Sequence, residues 1–261
     1  MLREFFLGKR GSSFAGSEQE LSPEKLREKL KDPTYLPKHS EISRAFGSGV
    51  DRARDFQKFC FDQKNPVFEF LNTEFIDAFG DYLSKRLGVI GATKDSPINI
   101  LEVGAGNGRL THFLRQRIES KLPGKARLIA SDSGKWNLRP TFPVEVLDYD
   151  AAVNKYAPEI VVCSWMPYRE DFSAAFRASK CVREYILIGE TEGGCCGDMW
   201  KTWGKKDYSD DEEEEIKATP PYIEDGFERE DLENISKFQI CRRDEPGNYF
   251  HSGTVSFRRK K

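Results

Sequence analysis

Residues 98–109 read Ile-Asn-Ile-Leu-Glu-Val-Gly-Ala-Gly-Asn-Gly-Arg. A carboxylate, Glu102, stands two positions ahead of the first of three alternate glycines, Gly104, Gly106 and Gly108, with Ala105 and Asn107 between them. Glycine lets a backbone turn sharply and lets a ligand lie against it, because no Cβ stands in the way. An apolar run leads into the turn. A helix pattern, Leu110, Leu114 and Ile118 at i, i+4 and i+8, leads out of it.

The turn is not that of a dinucleotide site. Its fingerprint is Gly-x-Gly-x-x-Gly, with the pyrophosphate on the helix N-terminus. Here the third glycine comes one position early and Arg109 takes its place. The Glu102 charge would also oppose a pyrophosphate. The same charge favours a ligand carrying an ammonium or a sulfonium, which points away from NAD and toward S-adenosylmethionine.

The elements that must hold this turn follow a regular order. Short apolar runs over 98–103, 127–131, 144–147, 159–163 and 185–188 alternate with helical stretches such as 172–178. Near-continuous apolar strands separated by helices predict a doubly wound, mostly parallel sheet covered on both faces. Segments 238–241 and 254–257 flank Glu245-Pro246-Gly247-Asn248 and predict a closing antiparallel hairpin, for seven strands in all. In such folds ligands sit beyond the carboxyl ends of the strands, where strand order reverses. The polar residues at those ends are Glu102, Asp132, Asp148, Ser164 and Glu190.

Ahead of the sheet, Ser22-Pro23-Glu24 reads as a helix start carrying Leu26 and Leu30. A second helix holds Phe56, Phe59 and Cys60. A third, starting near Pro66, repeats Phe68, Leu71, Phe75, Phe79, Leu83 and Leu87 and ends at Gly88 and Gly91. The expected organisation is a mobile, helical N-terminal extension over 1–65, acting as a lid with Tyr35, Arg44 and Phe46, followed by an α/β domain over 66–261.

The chain has 261 residues and a net charge of −2, so no global field draws it to nucleic acid. No apolar run is long enough to span a membrane. Six cysteines without a Cys-x-x-Cys pair and three scattered histidines predict no metal site, and reduced thiols fit a cytoplasmic protein. The acidic block within 207–215 reads as a solvated loop that could meet a basic partner.

Glu102-x-Gly104-x-Gly106-x-Gly108 resembles the first motif of class I S-adenosylmethionine-dependent methyltransferases. The ordered strand ends extend that resemblance over 66–261. It implies that Glu102, Gly104, Ala105, Gly106, Asn107 and Gly108 seat the cofactor. Asp132 and Ser133 would meet its ribose, and Asp148 and Tyr149 its adenine. Segment 158–164 resembles the fourth motif, whose end at Ser164 faces the transferred methyl.

On the acceptor side, Trp165-Met166-Pro167-Tyr168 is similar to the loop of protein arginine methyltransferases. Ser164 and Ser173, however, stand where those enzymes need glutamates. Adenine and glutamine N-methyltransferases carry Asn/Asp-Pro-Pro-Tyr there, which a single Pro167 before Tyr168 does not match. The candidate catalytic residues are Ser164, Tyr168 and Glu190. The candidate substrate contacts are Trp165, Pro167, Tyr168, Trp200 and Trp203, in loops whose glycines at 193, 194, 197 and 204 suggest close approach. The function expected is methyl transfer to a small molecule or a protein side chain. The alternatives are an RNA or other macromolecular methyltransferase and a non-catalytic interaction protein.

Overall fold

The computed structural model describes residues 21–46, 51–64, 66–137, 139–191, 194–205, 219–244 and 251–260. The acidic run over 207–215, the first 20 residues and the turn at 245–248 lie outside them. Three short helices come first: α1 (Pro23–Leu30), α2 (His39–Ala45) and α3 (Arg52–Cys60). The Ser22 hydroxyl caps α1 by accepting from the Lys25 N–H at 3.3 Å. No apolar repeat signals α2, whose only buried residues are Ile42 and Ala45.

The long helix α4 spans Thr73–Ile90. It begins seven residues later than expected, because Asn72 is its cap and accepts from the Phe75 N–H at 2.9 Å. Its stripe of Phe75, Phe79, Leu83 and Leu87 is buried as the periodicity predicts. It ends at Gly91, which is left-handed with φ 93°. Phe68 and Leu71 therefore precede the helix. Segment 68–70 instead runs extended and pairs with 240–242, through Phe70 N–H to Ile240 O (2.8 Å) and Arg242 N–H to Phe68 O (3.0 Å).

The rest alternates: β1 (Ile98–Val103), α5 (Arg109–Lys121), β2 (Ala126–Asp132), β3 (Glu145–Val146), α6 (Tyr149–Tyr156), β4 (Ile160–Ser164), α7 (Ser173–Ala178) and β5 (Glu184–Glu190). Then follow α8 (Met199–Trp203), α9 (Pro221–Glu224), β6 (Phe227–Asp231), α10 (Glu233–Ser236) and β7 (Ser252–Arg259). They form one seven-stranded sheet in the order β3-β2-β1-β4-β5-β7-β6. The first five strands are parallel. β7 runs antiparallel to both β5 and β6. Order reverses between β1 and β4, which pair with Val103 opposite Cys163.

The antiparallel closure is present, but its first strand is not 238–241. That segment is held away from the sheet by its pairing to 68–70, and Phe227–Asp231 takes the edge. The mixed polarity of Phe-Glu-Arg-Glu-Asp hides this strand, because an edge strand needs few inward apolar residues.

One core face packs α4 and α5 on Ile100, Val162 and Ile186. The other packs Phe176, Tyr185 and Phe257 with Leu101 and Val161. A third cluster joins Leu26, Ile42, Phe56 and Phe59 of the N-terminal helices to Phe70 and Ile240. Among the described residues no helix is long and apolar enough to cross a membrane, and no group of histidine, cysteine and carboxylate side chains could hold a metal ion. All six cysteines are unpaired thiols.

Candidate functional site

β1 delivers the chain into the glycine turn at the sheet's reversal point. Gly104, Gly106 and Gly108 all have left-handed backbones, with φ 65°, 54° and 79°. A side chain at any of them would be strained. Two of the three have different surroundings. A Cβ on Gly108 would meet Val144 Cγ2 at 2.7 Å, so this glycine lets α5 pack onto the loop before β3. A Cβ on Gly104 would meet nothing within 4 Å, so the space in front of the turn is open. Asn107 braces the turn from behind, its carbonyl accepting from the Thr141 and Phe142 N–H groups, each at 3.1 Å.

Asp132, at the end of β2, is bonded directly to the turn. One carboxylate oxygen accepts from the Gly106 N–H at 2.9 Å, the other from the Gly134 N–H at 2.8 Å. A carboxylate has about four acceptor positions, so capacity remains for further donors such as a diol. Ser133 follows it, partly buried. At the next strand end Asp148 caps α6, accepting from the Tyr149 N–H at 2.9 Å. Lys135 lies 3.1 Å from Asp148, and its hydrogen bond holds that carboxyl below the usual carboxylate range. The Tyr149 ring stacks on Phe172 at 4.0 Å, which covers one of its faces.

Glu102 lies behind the turn and is 5% exposed. One oxygen takes the Thr111 N–H at 2.9 Å and the Thr111 hydroxyl, which ties β1 to the first turn of α5. Burial pushes its carboxyl up to about 7, against the Thr111 hydrogen bonds, with nearby Asp132 adding to the rise.

The acceptor side departs further from the sequence reading. Ser164 ends β4 beside Ile188, half-buried, and Pro167 is also half-buried. Trp165 has φ 60°, a rare conformation for a bulky residue. Its indole N–H donates to Glu69 at 3.1 Å, and its ring lies 5.7 Å from Phe68. Phe68 also meets Trp136, from the loop after β2, at 6.3 Å. Segment 68–70 thus reaches aromatic rings on the loops either side of β1. Arg109, the residue after the turn, donates to Tyr35 O at 2.8 Å and brings the N-terminal helices to the same rim.

Three expectations need correction. Tyr168 stands 57% exposed with the Arg169 guanidinium over its ring, because Met166 takes the inward position and the Arg169 N–H is fastened to Gly197 O. Trp203 is 3% exposed, packs with Phe257 and gives its indole N–H to Cys196 O, so it belongs to the core. Glu190 is buried, with one oxygen bonded to the Cys195 N–H and the other 3.4 Å from Arg243, so both serve its own loop and the segment ahead of β7. Trp200 is half-buried. Sequence reasoning missed Phe68, Glu69 and Trp136. Glu69 and Trp165 are 96 residues apart, and no local pattern links them.

No family model matches the chain, and no curated protein does. Solved structures similar to it include the DszA carbon methyltransferase, at 15% identity and TM-score 0.38 over 70% of this chain and 54% of that one. This chain therefore spans about half the length of that protein. Magnesium protoporphyrin IX methyltransferase from Synechocystis PCC 6803, with bound SAH, is 13% identical over 85% of this chain and 99% of that one, at TM-score 0.38. The N-terminal domain of EvdMO1, with SAH bound, is 15% identical over 87% and 99%, at TM-score 0.42. The strand order, the reversed last strand and the glycine turn at the point of reversal give this chain a doubly wound, Rossmann-like α/β fold with an antiparallel closure.

Proposed function

We propose that this protein transfers a methyl group from S-adenosylmethionine to a small molecule or a protein side chain. One observation carries the reading: a left-handed glycine turn with open space at Gly104, anchored by the strand-end carboxylate of Asp132. S-adenosylmethionine supplies, when bound, a methyl group already activated by its sulfonium. The chain's task is then alignment and exclusion of water rather than strong acid–base chemistry. Gly104 leaves room for the nucleoside. Asp132 offers its remaining acceptor positions to the ribose diol. Ser133, Asp148 and Tyr149 border the adenine side, and the half-buried end of β4 at Ser164 borders the methyl. Phe68, Trp136 and Trp165 form an apolar rim over the turn, and the α1–α3 region acts as a lid through Tyr35. Six free thiols suit a cytoplasmic setting.

Calorimetric titration with S-adenosylmethionine tests the reading. Binding below about 1 mM is expected, and its loss in Asp132→Ala. Methyl release would then be followed against cell extract divided into metabolites, proteins and RNA. Turnover on RNA alone would favour the macromolecular alternative. No binding at millimolar cofactor would leave a non-catalytic interaction protein.

A further inference from the structure

Two carboxyls, the buried Asp244 and the half-buried Glu69, sit side by side beyond the ends of β4 and β5, and their surroundings differ. Asp244 is fully employed: it accepts from the Cys241 and His251 N–H groups, each at 2.6 Å, and from the Ser252 hydroxyl at 2.7 Å. Glu69 is not. Its Oε2 takes the Trp165 indole N–H, but its Oε1 is buried without a hydrogen-bond partner. The Gln239 amide and the Ile240 N–H face the same carboxyl and favour its charged form, but the buried Gln239 Nε2 falls short of a well-formed hydrogen bond. A buried acceptor left unmade costs about 1–3 kcal/mol. The fold nonetheless fixes Glu69 there, by backbone bonds on both sides, at Phe68 and Phe70. The flanking rings are Phe68 and Trp165. Aromatic faces beside a carboxyl are the chemistry that recognises a cation.

We infer that Glu69, framed by Phe68 and Trp165, is the binding site for the ammonium head of an amine with an apolar or aromatic body, and that such an amine is the methyl acceptor. Only the word acceptor rests on the methyl-transfer reading; the amine site stands on its own geometry. An amine fits better than an alcohol, because the neighbouring charge of Asp244 adds to that of Glu69. The other groups facing the carboxyl are Cys60 from α3 and Cys241 from the 239–244 segment, both with thiols raised by burial and therefore neutral. The Arg242 guanidinium already lies over the Phe61 and Phe68 rings, at 3.8 and 4.4 Å, so an entering ammonium must approach the carboxyl from the Trp165 side. Burial, followed by Asp244, pushes the Glu69 carboxyl up to about 8, so at pH 7 it mostly carries a proton. An arriving ammonium reverses that balance, and the carboxyl releases its proton as the cation binds. For transfer, the ammonium would hand one proton back to the Glu69 carboxylate, freeing the nitrogen lone pair to form the C–N bond as the methyl's C–S bond breaks.

The test uses the full chain and benzylamine, with benzyl alcohol as its neutral counterpart. Calorimetry at pH 7 in two buffers of different ionisation enthalpy reads both affinity and proton release. Wild type is expected to bind benzylamine at least tenfold more tightly than benzyl alcohol and to release close to one proton. Glu69→Gln should abolish both the preference and the release. Trp165→Phe, which removes the indole donor together with part of the ring surface, should keep the preference and weaken benzylamine severalfold. Equal affinity for the two probes, or a preference that survives in Glu69→Gln, overturns the amine site. S-adenosylmethionine titrated into the same proteins separates the two readings. Failure of cofactor binding in wild type removes methyl transfer without touching the amine result, and retained cofactor binding in Glu69→Gln shows that variant is folded.

Discussion

Two glycine-rich loops leave the same edge of the sheet, one after β1 and one after β5. In sequence they look alike, and both read as places where a ligand approaches bare backbone. In the structure they are opposites. At Gly104 an added Cβ would enter empty space. At Gly189 (φ 151°), next to the end of β5 where the second loop begins, it would meet the Cys196 sulfur at 2.7 Å, and at Gly194 in the loop it would run into the Glu190 side chain. The first loop is open at Gly104 although its Gly108 end is packed, and the second is filled by its own chain. Missing side chains therefore mark two different things, room for a ligand and room for a neighbour. Only the surrounding fold tells them apart.

The largest expected effect lies in the filled loop. Trp203→Ala should cost about 3–5 kcal/mol, read by chemical denaturation. A loss below about 1 kcal/mol would mean that the loop is not core and that Trp203 is free to meet substrate. Next come the two glycines themselves. Gly189→Ala should cost about 2–4 kcal/mol, from an unfavourable backbone and a sulfur in the way. Gly104→Ala should cost only about 1–2 kcal/mol, the backbone strain alone. Equal losses would erase the contrast between the loops.

Ligand binding should discriminate in the reverse sense. Asp132→Asn should weaken S-adenosylmethionine roughly tenfold to a hundredfold, whereas Trp200→Phe in the filled loop should leave that affinity unchanged. The last effect is a pH slope. The folded Glu102 carboxyl sits at about 7, above its unfolded value of about 4.3. The native state therefore holds the extra proton between those values, and stability is greatest below them and declines as pH rises through 7. Thermal melts of Glu102→Gln between pH 5 and 8 should be flatter than those of wild type. A parallel decline would place the burden on Glu69 instead.

The open loop was legible in the sequence because everything that defines it is local. Glu102, the three glycines and α5 occupy twenty consecutive residues, and Asp132 follows at the next strand end. The boundaries of β1 could be read outright, and those of β2, β4 and β5 to within two residues, since buried parallel strands are continuous apolar runs. The acceptor side was illegible for the converse reason. The proposed site is assembled from 68–70, 165 and 239–244, and the pairing of 68–70 with 240–242 made two false elements at once. Phe68 and Leu71 fit the α4 stripe by spacing yet lie outside it, and 238–241 has a strand's composition but a different partner. Trp203 misled because a tryptophan near a strand end serves a core as readily as a ligand.

The strand β7 follows β6 in the chain but lies inside it in the sheet, between β5 and β6. During synthesis, β5 therefore emerges with one whole edge unmatched and waits about sixty residues for its neighbour. That edge belongs to a strand buried along its entire length, the kind of surface that recruits other nascent chains. A ribosome stalled before residue 252 would release a sticky, unfinished sheet, so this protein is expected to lean on chaperones until its last strand slides into the gap.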